Sequence, residues 1–134
     1  MNIALIAHDR KKELMVQLCI AYKGILSKHN LFATATTGRL VSESSGLPVK
    51  RFLSALQGGE QQIGARIAYN EIDLLILFRD PQSFGVQDGD NSLQRLCDMH
   101  NVPVATNLAT AEVLIRGLER GDIDWRDIVN PKKK

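Results

Sequence analysis

Apolar positions along the chain switch between short unbroken runs and helical recurrences. The first run, Ile3-Ala4-Leu5-Ile6-Ala7 behind a single asparagine, has the pattern of a strand buried on both faces. Runs at 31–35, 49–54 and 102–106, and the most apolar run of the chain at 72–78, predict four more strands. Pro48 precedes the third and makes it an edge or irregular strand. The fourth, by its apolarity, is expected at the centre of the sheet.

Between these runs, Leu14, Leu18, Ala21, Tyr22 and Ile25 recur at helical spacing behind Asp9, which is placed to cap them, and Asn30 closes the segment. A short helix is predicted from Thr36-Thr37-Gly38 to Gly46, with others at 61–70, 91–101 and 108–120, the last stopped by Gly121. Residues 79–89 read as a loop. Strands alternating with helices predict an α/β domain with a mainly parallel five-stranded sheet, right-handed crossovers and helices on both faces. This three-layer α/β/α domain is expected over residues 1–121, with a tail at 122–134 that is polar apart from Trp125, Ile128 and Val129.

Such sheets collect ligands beyond the carboxyl ends of their strands. Those ends carry His8-Asp9, Thr34-Ala35-Thr36-Thr37-Gly38, the stretch from Ser54 to Glu60, Asp80-Pro81 and Thr106-Asn107, so five strand ends are expected to face one crevice. In the third of them, Gly58-Gly59 permits a tight turn, and Glu60 falls directly behind it in the first turn of a helix. Backbone N–H groups are free there and the helix dipole is positive. Taken alone, Glu60 is a helix-start acid with little at stake; in that company it is a candidate for chemistry.

Composition narrows the class. With 134 residues, 44% apolar and 24% charged, the chain is expected to be one soluble globular domain. Seventeen basic against fifteen acidic residues leave +2, much of it from Lys132-Lys133-Lys134, so no nucleic-acid footprint is expected. Cys19 and Cys97 lie in apolar helical patterns without CxxC or Cys/His metal spacing, and are expected to be reduced core residues. The start lacks the pattern of a signal peptide, and no stretch approaches the ~20 apolar residues that span a membrane. A cytoplasmic protein is the expectation.

Thr34, Thr36 and Thr37, with Gly38 at a helix entrance, offer hydroxyl and backbone donors to a phosphate, and Lys12 adds a positive charge. The same threonines also serve as strand formers and caps. There is no P-loop, and no GxGxxG follows a strand, which disfavours dinucleotide binding. Asp80, held extended before Pro81, also suits a plain turn; His8 also suits a structural role, and the helix dipole accounts for His29 and His100. Carboxylates spread over separate loops give no metal pattern. A phosphate cradle beside acids and an imidazole fits proton abstraction next to a carbonyl in a small phosphorylated substrate.

From end to end these motifs resemble the methylglyoxal synthase family. The resemblance is carried by Ile3-Ala4-Leu5-Ile6-Ala7-His8-Asp9 with Lys12, by Ala33-Thr34-Ala35-Thr36-Thr37-Gly38, and by Gly58-Gly59-Glu60-Gln61-Gln62-Ile63-Gly64-Ala65. It continues in Phe78-Arg79-Asp80-Pro81, Arg95-Leu96-Cys97-Asp98, Val102-Pro103-Val104-Ala105-Thr106-Asn107 and Leu118-Glu119-Arg120-Gly121-Asp122. It implies a flavodoxin-like core and a cofactor-free, homohexameric lyase that converts dihydroxyacetone phosphate to methylglyoxal and inorganic phosphate. Under it, Glu60 matches the catalytic base. Lys12, Thr34, Ala35, Thr36, Thr37, Ser54 and Ala55 match the phosphate-holding positions. His8 matches a substrate contact, Gln87 the place of a second histidine, and Asp9, Asp80 and Asp90 the acids around the pocket.

The chain departs from the family at several of these positions. The family's GGDQQ reads Gly58-Gly59-Glu60-Gln61-Gln62, its Ser-Gly-Pro reads Ser54-Ala55-Leu56, and its Pro-His-(Asp/Glu)-Pro-Asp reads Val86-Gln87-Asp88-Gly89-Asp90. One residue is also missing between Asp90 and Arg95. The C-terminal arginine that reaches a neighbouring subunit in some members has no secure equivalent here; Arg126 and the tail lysines are weak candidates. Two other readings therefore stand beside the synthase: a non-catalytic relative that binds phosphate or a phosphorylated metabolite, and a related lyase or isomerase.

Overall fold

The computed structural model describes residues 1–80, 91–129 and 131. Five described strands, β1 (Asn2–Ala7), β2 (Asn30–Ala33), β3 (Val49–Arg51), β4 (Leu74–Phe78) and β5 (Val104–Ala105), form one sheet in the order β3-β2-β1-β4-β5. Every pairing is parallel. The helices are α1 (Lys12–Ala21), α2 (Lys23–Leu26), α3 (Ala35–Ser45), α4 (Gly59–Ala68), α5 (Ser92–Met99), α6 (Leu108–Arg120) and α7 (Trp125–Val129).

Side-chain alternation along the strands builds the three layers. Ile3, Leu5, Ala7, Leu74, Ile76 and Phe78 enter one core with Met15, Leu18 and Cys19 of α1, Val41 of α3 and Ile115 of α6. Ala4, Ile6, Leu75 and Leu77 enter the other with Ile63 and Ile67 of α4 and Leu93 and Cys97 of α5. The result is the three-layer, flavodoxin-like α/β/α sandwich, with the winding reversed between β1 and β4. β1, not the more apolar β4, holds the middle place: both are covered on both faces, and apolarity records coverage rather than rank in the sheet. Burial in hydrocarbon surroundings pushes both thiols, Cys19 and Cys97, up to about 12.

Three local expectations change. Asp9 does not cap the first helix; a 3-10 turn (Asp9–Lys11) precedes α1 and is itself capped by His8, whose Nδ1 accepts from the Arg10 N–H at 3.2 Å, while Lys11 at the start of α1 makes no side-chain cap bond. Asn30 opens β2 rather than closing a helix, which breaks earlier, at Tyr22. The residues after β3 form a second 3-10 turn (Ala55–Gln57), followed by Gly58 at φ +107°. Gly59 is required for a different reason, because a Cβ there would stand 1.9 Å from the Leu53 carbonyl oxygen.

The polar C-terminal segment contributes a buried side chain. Arg126 is 0% exposed; its Nε donates to Asp73 Oδ1 at 3.3 Å. Its other nitrogens donate to Asn70 Oδ1 at 3.0 Å and to the carbonyls of His100, Asn101 and Ile72. Asp73 Oδ2 in turn accepts from the Asn2 N–H at 2.8 Å. Arg126 thus joins the starts of β1 and β4 to the turn before β5, and its side chain is taken up by these contacts within the chain.

Three outcomes are expected. Gly59→Ala forces backbone apart and should cost about 1–3 kcal/mol in urea unfolding, the usual penalty of overpacking. Arg126→Met leaves the Asp73 carboxylate buried without its cation and should cost about 3–5 kcal/mol in the same measurement. His29 accepts from the Met1 ammonium at 3.2 Å through Nδ1, and burial, followed by that positive charge, holds its pKa below 6.5. The unfolded chain therefore takes up this proton first, so stability should fall as pH drops from the ordinary histidine value towards the lower folded one. Melting curves of His29→Gln across that window should lack this part of the slope.

Candidate functional site

Where β1 and β4 lie side by side, the chain leaves them in different directions, and a crevice opens beyond their carboxyl ends, as expected at a topological switch point. The His8 N–H donates to the Phe78 carbonyl at 2.8 Å and holds the two ends together. The cavity there encloses about 570 Å³, enough for a small metabolite. Its described lining brings together His8, Asp9 and Lys12 after β1, Thr34 and Thr36 after β2, Ser54, Ala55 and Leu56 after β3, Glu60 and Gln61 of α4, and Arg79 after β4. Four strand ends converge; Thr106 and Asn107 are not among the lining residues, and Asn107 instead caps α6 by accepting from the Thr110 N–H at 3.0 Å.

Each side of the cavity is held by identifiable bonds. The Leu53 carbonyl accepts from the Ala35 N–H at 3.3 Å, and the Leu53 N–H donates to Gln62 Oε1 at 2.8 Å. The β3–α4 turn is thereby tied to the entrances of both α3 and α4. Thr34 sits at the N-cap position of α3, so the N–H groups of Thr36 and Thr37 belong to the first turn, where helix donors lack intrahelical partners. Thr37 is buried, and its hydroxyl has no hydrogen-bond partner among the described residues.

The ionic groups are paired across the crevice. Lys12 Nζ donates to the Ala7 carbonyl at 2.7 Å and to Asp9 Oδ1 at 2.9 Å, leaving one ammonium proton for an anion. The hydrogen bond from Lys12, and then its charge, hold the Asp9 carboxyl below its ordinary range. Arg79 Nη2 lies 3.2 Å from Glu60 Oε1, with only 21% and 25% of the two side chains exposed. Because His8 Nδ1 accepts a backbone N–H, a neutral His8 ring carries its proton on Nε2 and is a donor at its far edge.

Of the residues singled out in the sequence, Asp80 is buried and lies 3.5 Å from Arg10 Nη1, outside the lining set. Ala35 and Thr37 stand behind that surface in the first turn of α3. Gln87 and Asp90 lie outside the described residues. Sequence reasoning gave no role to Arg79, Leu56 or Gln61. A cation directly after the fourth strand run was the available signal for Arg79. Among the described residues, no group of three or more His, Cys, Asp or Glu side chains is arranged to hold a metal.

Comparison with known proteins agrees with this architecture. The family model described as an MGS-like domain matches residues 15–106. The chain is 65% identical to methylglyoxal synthase of Caldicellulosiruptor saccharolyticus over 98% of its own length and 94% of that protein. It is 53% identical to methylglyoxal synthase of Oceanobacillus iheyensis over 100% and 96%. The crystal structure of methylglyoxal synthase from Elizabethkingia anophelis superposes with a TM-score of 0.80 at 44% identity, covering 85% of this chain and 76% of that one. A crevice at the β1–β4 switch point, lined by threonine, lysine, histidine and a helix-start acid, on a chain this similar to those enzymes, places the protein in the methylglyoxal synthase family.

Proposed function

We propose that the protein converts dihydroxyacetone phosphate to methylglyoxal and inorganic phosphate, with Glu60 as the base. The observation that carries this reading is the meeting, in one crevice, of the Glu60 carboxylate, the His8 ring edge and the Lys12–α3 entrance. The substrate has an acidic C–H beside its carbonyl and a phosphate ester on the other neighbouring carbon. A carboxylate takes that proton, and the C–H electrons form the enediolate while the carbonyl oxygen gains negative charge. His8 Nε2–H is the donor for that oxygen. The enediolate then expels phosphate by C–O cleavage, and the enol left behind tautomerises to methylglyoxal.

The departing dianion needs donors and positive charge. Lys12, the hydroxyls of Thr34 and Thr36, and the first-turn N–H groups of α3 supply them from one side. Thr37 adds a buried hydroxyl at the same helix entrance, and Ser54–Ala55 closes the other side. Asp9 acts through Lys12, whose ammonium it orients, and Asp80 acts through Arg10. Gln87 and Asp90 complete the family's set in this reading; Gln87 can donate a hydrogen bond but cannot shuttle a proton. The working form is a homohexamer in the cytoplasm, with no cofactor. That the chain acts on no nucleic acid and enters no membrane is part of the same reading; among the described residues, no helix is long and apolar enough to cross one.

Glutamate in place of the family's aspartate sets the size of the activity. One extra methylene moves the carboxylate by about an ångström, and a displacement of that size can cost on the order of a hundredfold. The second reading, phosphate binding without turnover, gains its support from that change. With purified protein and dihydroxyacetone phosphate, methylglyoxal and phosphate should appear together, and Glu60→Gln should abolish both. Absence of turnover with a melting temperature raised by inorganic phosphate would favour binding alone.

A further inference from the structure

The pairing of Arg79 with Glu60 joins a residue to which the family resemblance assigns no role to the residue where the chain departs from the family's acid. Resting on the reading of Glu60 as the base, we propose that Arg79 is the positioning residue for the longer acid, holding Oε1 of Glu60 so that Oε2 is presented to the substrate.

Three observations support this. The contact is a charged one, Arg79 Nη2 to Glu60 Oε1 at 3.2 Å, between side chains three-quarters or more buried, where it is screened less than a surface pair. Both residues are fixed at their backbones. Arg79 directly follows β4, whose Phe78 carbonyl is bonded to the His8 N–H, and Glu60 is in the first turn of α4 behind Gly59, whose N–H donates to the Ser54 carbonyl at 2.8 Å and which packs directly against the Leu53 carbonyl. Both line the same cavity as His8 and Lys12.

The physical need is specific to glutamate. Its side chain has one more rotatable bond than aspartate, so an unrestrained carboxylate at position 60 samples more positions around the reacting carbon. A guanidinium on one oxygen selects among them and leaves the second oxygen's lone pairs available. An aspartate at the same backbone position is shorter by a methylene and ends farther from Arg79, so it depends on the arginine less. Arg79 is thus a partner to this acid, rather than a second phosphate ligand.

The test is a double-mutant cycle on the full-length protein with dihydroxyacetone phosphate. Arg79→Met should lower kcat at least tenfold while KM changes less than about twofold, because the substrate's own contacts remain. Arg79→Lys, which keeps a charge but loses the planar fork, should recover part of kcat. In the Glu60→Asp background, Arg79→Met should change kcat less than threefold. Circular dichroism and melting of each variant separate these effects from misfolding. A loss confined to KM, or an equal loss of kcat in both backgrounds, overturns the assignment. Turnover that Glu60→Gln abolishes but Arg79→Met leaves intact overturns it alone, whereas turnover that survives Glu60→Gln, or no turnover by the unmodified chain, overturns the reading of Glu60 and this assignment together.

Discussion

The parallel pairing of β1 with β4, from Ile3 beside Leu74 to Ala7 beside Phe78, connects two halves of the chain that wind in opposite directions. Strands 1 to 3 are laid outward to one edge, and β4 and β5 to the other. Loops leaving β1 and β4 must therefore diverge, and the space between them is the crevice. Burial on both faces makes that seam rigid. Leu5, Ile6, Ile76 and Leu77 are at most 3% exposed, so the backbone hydrogen bonds between the strands are shielded from competing water. The last of these, His8 N–H to Phe78 carbonyl, fixes the two segments that carry His8, Lys12 and Arg79.

Around this seam, each charged group in the crevice is given a partner of opposite sign from its own or a neighbouring segment. Lys12 is held by Asp9 and the end of β1, Glu60 by Arg79. Such pairs contribute little to stability when partly exposed, but they hold each charged side chain in a defined position. Neutral donors come from the backbone at the entrance of α3. Anionic substrate therefore meets a site whose dipoles are already oriented, which is the condition for electrostatic catalysis. The tie from Leu53 to both Ala35 and Gln62 makes the third strand end part of this frame despite its edge position.

The opposite end of the sheet is held by a different device. Arg126 brings a charged side chain to zero exposure, satisfied by Asp73, Asn70 and three carbonyls. In a buried pair of this kind each charge depends on the other, since loss of either partner leaves an uncompensated charge out of water. It anchors α7 at the amino ends of β1 and β4, away from the crevice. The C-terminal segment therefore belongs to the fold's frame through one side chain, although most of its apolar residues, including Ile128 at 83%, remain exposed.

Burial is periodic along a strand or helix, and this is why so much of the architecture is legible in the amino-acid order alone. The helix expected at 108–120 is observed as Leu108–Arg120 with Gly121 in the left-handed region, and alternation of strands and helices implies the layered sheet. Strand ends can be read off in the same way, which brings His8, Lys12, Thr34, Ser54 and Glu60 to one place. Rank within the sheet is not encoded locally, since β1 and β4 meet the same two cores. Nor is the 3-10 turn capped by His8 ahead of α1, which depends on where the imidazole points after the chain turns. Arg79 and Glu60 are separated by 19 residues, and Arg126 by 25 to 56 from the groups that bury it. The sequence alone determined the elements, their order and the residues at the strand ends, because hydrophobic period is local. Which charges meet, and which side of the sheet each pair secures, was decided only by tertiary structure, because a charge leaves water only where distant segments together supply its partners.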